Sequence, residues 1–129
     1  MRKEGRLYSK KHLWVSLDGS KATIGITDFL QKKLGTIMFL NLPDVGDKLS
    51  VGEAFGDIES KKTVMDLEAP ISGTVTRVNG NLLDRPDEIN VKPYESWFVE
   101  IEMSFVPDDL EDEKAYQTHI SRPWMQDHD

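Results

Sequence analysis

The feature that most constrains this chain is how often its apolar periodicity is cut. Stretches of two-residue alternation last only four to eight positions before a turn signal ends them, as in a protein made of short, half-buried strands. Leu13 to Ser16 alternates, Asp18-Gly19 interrupts, and Lys21 to Ile26 alternates again. Two such runs about Asp-Gly predict a β-hairpin. The period then lengthens. Phe29, Leu30 and Leu34 form a helical stripe, with Thr27 placed to cap its start and Gly35 to end it. Thr36 to Leu42 reads as a buried strand, and Pro43-Asp44-Val45-Gly46-Asp47 as a turn.

Further short strands are predicted at Lys48–Val51, Ala54–Glu59, Val64–Glu68 and Gly73–Val78. Asn79-Gly80-Asn81 is a turn, and Leu82 to Pro93 a loop. Trp97, Val99, Ile101 and Met103 share one face of a last strand, and the acidic run Asp108 to Glu113 opens a final helix. The expected fold is mostly β, a small sandwich or flattened barrel with a short internal helix and a C-terminal helix. Its 129 residues fit one domain, with a core over about 6–117 and a loose tail over 121–129.

Charge and cysteine content narrow the chemistry. A formal net charge of −7 disfavours phosphate backbones and anionic lipid surfaces, so neither nucleic acid nor membrane is an expected partner. No apolar run is long enough to span a bilayer, and the first residues lack a signal-peptide core, so the cytoplasm is the expected location. With no cysteine, there is no disulfide framework or thiolate ligand, and redox chemistry requires an attached group. His12, His119 and His128 form no evident catalytic set. Asp127-His128-Asp129 is a weak metal-binding candidate outweighed by the simpler reading of an acidic tail, so no metal is expected.

One segment stands apart. Two strands flank the polar tip Glu59-Ser60-Lys61-Lys62-Thr63, which contains neither proline nor glycine and is therefore expected to be a defined turn. A lysine there projects into water on a long flexible stem, within reach of an acylating enzyme. Taken alone, the tip is no more than an exposed lysine pair.

Its surroundings change that reading. Val45-Gly46-Asp47 and Val51-Gly52-Glu53 precede it, and Ala69-Pro70-Ile71-Ser72-Gly73-Thr74-Val75 follows. This spacing resembles the lipoyl and biotinyl carrier domains, and the absence of methionine on either side of Lys62 favours lipoyl. Tyr8-Ser9-Lys10-Lys11-His12-Leu13-Trp14-Val15, Ala22 to Gly35, Leu42-Pro43-Asp44-Val45-Gly46, Ile89-Asn90, Pro93-Tyr94 and Trp97 are similar to the glycine cleavage system H protein family. The resemblance runs in register over roughly residues 6 to 117.

It implies a hybrid barrel-sandwich fold and a carrier that is not itself an enzyme. Lipoate would be attached covalently to Lys62, with Lys61 as the competing position, and Glu59, Ser60 and Asp66 would be flanking recognition residues. A lipoate ligase or lipoyl transferase would load it. The family's load is an aminomethyl group, shielded in a cleft. Here Lys11 and Leu13 stand where the family often has acids, and Phe29 where histidine or tyrosine is common; only Asp66 keeps an acidic character. A cleft lined by Lys11, Leu13 and Phe29 would hold an ammonium poorly. Two loads therefore stay open: an aminomethyl group passed among glycine cleavage enzymes, or sulfur passed to a heterodisulfide-reductase-like complex in sulfur oxidation. An unmodified binding module and an enzyme with a hidden site remain as alternatives of other classes.

Overall fold

A computed structural model describes residues 6–121. In chain order its elements are β1 (Arg6–Tyr8), β2 (Leu13–Asp18), β3 (Lys21–Ile26), α1 (Asp28–Leu34), β4 (Ile37–Asn41), β5 (Lys48–Leu49), β6 (Ala54–Ser60), β7 (Val64–Glu68), β8 (Ser72–Val78), α2 (Asn81–Asp84), α3 (Glu88–Val91), β9 (Val99–Phe105) and α4 (Glu113–Ile120). Six strands form one sheet in the order β1-β2-β3-β9-β8-β5, and β4-β6-β7 form a second. This is the mostly-β fold expected from the alternation, in the barrel-sandwich form that the resemblance implies.

The predicted hairpin is in register: Leu13 faces Ile26 and Asp18 faces Lys21 across the Asp18-Gly19 turn. Inward residues of both sheets make one core, including Leu13, Val15, Ile24, Ile26, Ile58, Leu67, Ile71, Val99 and Ile101. Each such aliphatic side chain contributes roughly 1.5–3 kcal/mol by leaving water. A second, aromatic cluster holds α4 against β1. Tyr8 and Tyr116 stack with ring centroids 4.7 Å apart, beside Trp14. Gly25 lies opposite Trp14, and a Cβ there would sit 2.6 Å from the indole, so only glycine leaves the ring its place.

The start of α1 follows its sequence signals. Thr27 accepts the Leu30 amide at 3.2 Å as N-cap, and Gly35, at φ 79°, closes the last turn through its amide to the Gln31 carbonyl. Placing α1 at the end of β3 sets it beside the β6–β7 hairpin.

Four expectations change. The β4 strand is not buried throughout: Ile37 and Leu40 point inward, while Met38 and Phe39 are exposed. An irregularity between Ile37 and Phe39 and the open outer face of the three-stranded sheet account for this. The stretch 82–93 is not plain loop; it holds the single-turn helix α3 and all but the first residue of α2, Asn81, and their amides bond carbonyls three and four residues back. Trp97 precedes β9 and packs with the aromatic cluster, away from Val99 and Ile101. Of the acidic run, only Asp112, whose carboxylate accepts the Ala115 amide at 2.8 Å, and Glu113 belong to the start of α4. The proposed tail and Asp127-His128-Asp129 lie, apart from Ser121, outside the described residues.

Candidate functional site

The tip between β6 and β7 is a tightly bonded turn. The Ser60 hydroxyl accepts the amides of Lys62 at 3.1 Å and Thr63 at 3.2 Å, and the Ser60 amide donates to the Thr63 carbonyl at 2.8 Å. The Lys61 amide donates to the Thr36 carbonyl at 3.2 Å, pinning the tip to the chain entering β4. Ser60 is 5% exposed, so its hydroxyl shapes the turn from within. Lys61, Lys62 and Thr63 are exposed.

Lys62 does not stand clear of the fold. Its Cε would lie 3.6 Å from a Cβ on Gly35, so its stem runs beside the end of α1, over a residue without a side chain. It borders a cleft of about 580 Å³ floored by Phe29, Leu30, Leu34 and Met65, with Lys10, Lys11, His12, Lys33 and Thr63 around them. An apolar floor with a polar rim, at this size, suits a small ligand with an aliphatic chain. Lys61 does not line it. A depression of about 680 Å³ beside α4, lined by Lys10, Glu111, Lys114 and His119 among others, includes neither tip lysine.

The expected cleft residues are only partly brought together. Lys11 and Phe29 line the cleft with Lys62. Leu13 does not: it is fully buried in the main core. Residues 13 and 15 share the inward face of β2, so Leu13 cannot touch a load directly. Asp66 is also absent from the cleft. Alternation along β7 puts Met65 and Leu67 on the inner side and Asp66 on the outer one, where it pairs across the strands with Asp57. Glu59 lies on that same outer face, in a cross-strand row with Phe39 and Val64. Among the described residues no acid lines the cleft.

His12, which belongs to no evident catalytic set in the sequence, is a well-anchored polar group in the cleft wall. Its backbone is left-handed, at φ 71°, a conformation that histidine accepts more readily than most residues. Its Nδ1 lies 2.8 Å from the Tyr116 hydroxyl, which lies 2.7 Å from the Thr27 hydroxyl. Its ring meets Phe29 at 4.8 Å and His119 at 6.1 Å. Burial, and then the neighbouring His119, Lys33 and Lys11, push its pKa down to about 4, so the imidazole is neutral at pH 7. The isolated histidine in the sequence carried no trace of this, because both partners come from other elements. Lys11 lies 3.8 Å from Glu68, an exposed pair that adds little stability.

Residues 6–122 match the family model for the glycine cleavage H-protein. The chain belongs to the glycine cleavage H-protein family. It is 44% identical over 115 residues to the glycine cleavage system H protein of Acidobacterium capsulatum, covering 88% of this chain and 89% of that one. It is 52% identical over 96 residues to that of Geobacillus thermodenitrificans, covering 74% and 76%. A crystal structure of the H protein of Mycobacterium marinum superposes with a TM-score of 0.86 at 32% identity, over 92% of this chain and 98% of that one. H proteins are non-catalytic carriers with lipoate covalently attached to a lysine, acting with glycine cleavage and lipoylating enzymes. Nothing in these similarities points to sulfur oxidation or to a heterodisulfide-reductase-like partner. No helix among the described residues is long and apolar enough to cross a membrane, and no group of three or more His, Asp or Glu side chains there is placed to hold a metal.

Proposed function

We propose that Lys62 is the lysine that carries the lipoyl group, and that the attached arm rests in the cleft walled by Lys11, His12 and Phe29 as the protein moves between glycine cleavage enzymes in the cytoplasm. The observation that carries this reading is that, of the two tip lysines, Lys62 lines the apolar-floored cleft and Lys61 does not. The floor of Phe29, Leu30, Leu34 and Met65 matches an aliphatic arm, and the missing side chain at Gly35 leaves room for its stem. Bound there, a lipoyl group supplies a dithiol–disulfide pair at the end of a flexible chain.

The chain's own residues do the rest. Ser60 holds the turn so that Lys62 is presented to a modifying enzyme in one geometry. The rigid turn also limits how much order the modifying enzyme must impose on the tip. Glu59 and Asp66, on the outer face of the hairpin, are the side chains an enzyme docking there meets beside Phe39 and Val64; their part in recognition rests on that exposure.

Co-expression with a lipoate ligase and lipoate tests the assignment by intact mass and peptide mapping. The parent and Lys61→Arg should each gain one lipoyl group, and Lys62→Arg should gain none, because a guanidinium keeps its proton and is a poor nucleophile. Lys62→Ala should melt within about 0.5 kcal/mol of the parent, as expected for an exposed tip. Modification of Lys61 in the parent would overturn the assignment.

A further inference from the structure

The Ile89-Asn90 pair holds a place in the fold on which the lysine tip depends. Ile89 is fully buried in the main core and anchors α3. Asn90, beside it, directs its whole side-chain amide at the corner between α1 and β4. Its Oδ1 accepts the Ile37 amide at 2.8 Å, and its Nδ2 donates to the Gly35 carbonyl at 2.8 Å and to Gln31 Oε1 at 2.9 Å. The two backbone partners fix which end of the amide is which, since a carbonyl only accepts and a backbone N–H only donates. Gln31 agrees with that orientation: its own Nε2 donates to Asp28 Oδ1 at 2.8 Å, which leaves its oxygen for Asn90.

Every residue of that corner bears on the tip. Gly35 has no side chain, and the Lys62 Cε lies 3.6 Å from where a Cβ would stand. Thr36, between the two backbone groups that Asn90 holds, offers its carbonyl to the Lys61 amide at 3.2 Å. Ile37 pairs with Ser60 across β4 and β6, and Ser60 shapes the turn itself. Corners between elements are among the parts of a fold that open most readily, and a clamp on both sides of Thr36 removes that freedom where the tip is attached. Asn90 is not among the residues that line the cleft, so it acts on the tip through the corner.

We propose that Asn90 is a positioning residue for the arm: its side-chain amide holds the Gly35–Ile37 corner where the Lys62 stem lies along the end of α1 and the arm is aimed into the cleft. The inference rests on attachment at Lys62 and adds what aims the arm. With the clamp gone, the corner and the tip pinned to it shift together, and the arm spends more of its time in solvent. The turn that Ser60 builds within the tip persists, because its bonds do not pass through the corner.

The test uses the lipoylated chain. Peptide mapping first locates the lipoyl group; its absence from Lys62 would overturn the attachment reading and this inference together. Reduction of the lipoyl disulfide by a water-soluble phosphine is then followed by iodoacetamide quenching and intact mass, with free lipoamide as reference. An arm docked about four-fifths of the time reacts about five-fold more slowly than the reference, and the parent should show that protection. Asn90→Ala and Asn90→Asp should each bring the rate to within about two-fold of the reference. The aspartate keeps the side chain's shape and the acceptor for Ile37, so it carries the test where the alanine variant does not fold. Asn79→Ala, which removes a bond from Nδ2 to the Trp97 carbonyl at 2.9 Å away from the corner, should keep the protection. Independently of the arm, the Lys61 amide of the unmodified chain should exchange with solvent about ten-fold faster in the Asn90 variants, an effect of the size of one ordinary hydrogen bond, and no faster in Asn79→Ala. A parent arm on Lys62 that reacts as fast as free lipoamide overturns the docked arm and this inference together. Protection or slow Lys61 exchange that survives both Asn90 substitutions, or that is lost equally in Asn79→Ala, overturns the role of Asn90 and leaves the attachment site intact.

Discussion

Acid should unfold this protein partly through His12, and the contribution can be isolated. In the unfolded chain the imidazole titrates near its ordinary value of about 6.5; in the fold it is pushed down to about 4, first by burial and then by His119, Lys33 and Lys11. Between those values the unfolded state binds the extra proton, so stability rises with pH across the window. The stability associated with a neutral His12 is therefore present near pH 7 and lost as pH falls from about 6.5 toward 4, with nothing further lost below that. Full linkage for such a shift is about 3 kcal/mol. The ring is partly solvated at the cleft, so screening reduces this to roughly 1–2 kcal/mol. Protonation would also place a donor on Nδ1 facing the Tyr116 hydroxyl. The perturbation is His12→Asn, and the assay is urea unfolding of parent and variant at pH 7, 5.5 and 4. The variant should be less stable than the parent at pH 7, since it loses the bond to Tyr116. That gap should close by about 1–2 kcal/mol at pH 4, because only the parent must protonate a buried ring. Using the difference between the two chains cancels the carboxylates, which titrate in both. A gap that stays constant across the three pH values would refute the buried, neutral His12.

Two further substitutions probe the parts that position the site. Ser60→Ala removes the acceptor for the Lys62 and Thr63 amides; it should cost about 1–2 kcal/mol in urea unfolding and slow lipoylation by a ligase at fixed enzyme concentration, by loosening the tip. Gly25→Ala places a methyl 2.6 Å from the Trp14 indole; it should destabilise by about 1–3 kcal/mol and weaken the near-ultraviolet dichroism of the aromatic cluster, and an unchanged melt would mean that β2 and β3 are not in the register described.

The alternation of short apolar runs determined the fold class, because two-residue periodicity and turn residues are local facts that survive into the structure at β2, β3, β6 and β7. The helix α1 was equally legible, since its cap, stripe and terminal glycine all lie within nine residues of sequence. The tip and its lysine pair were legible for the same reason, and the motifs around them pointed to the family that the comparisons then showed. What sequence could not supply was direction and company. Asp66 sits close to Lys62 in sequence, but strand alternation turns it to the outer face, away from the cleft. Leu13 occupies a motif position associated with the load, yet β2 points it into the core. Which of Lys61 and Lys62 meets the cleft depends on the turn that Ser60 imposes and on α1 lying beside it. The hydrogen-bonded group around His12 is wholly tertiary: its members stand at positions 12, 27 and 116. Local patterns are set by neighbours along the chain, and a sequence displays those. A wall built from the β1–β2 turn and α1, and held from behind by α4, comes into being only when the sheets pack and bring distant hydroxyls within hydrogen-bonding distance of a buried ring.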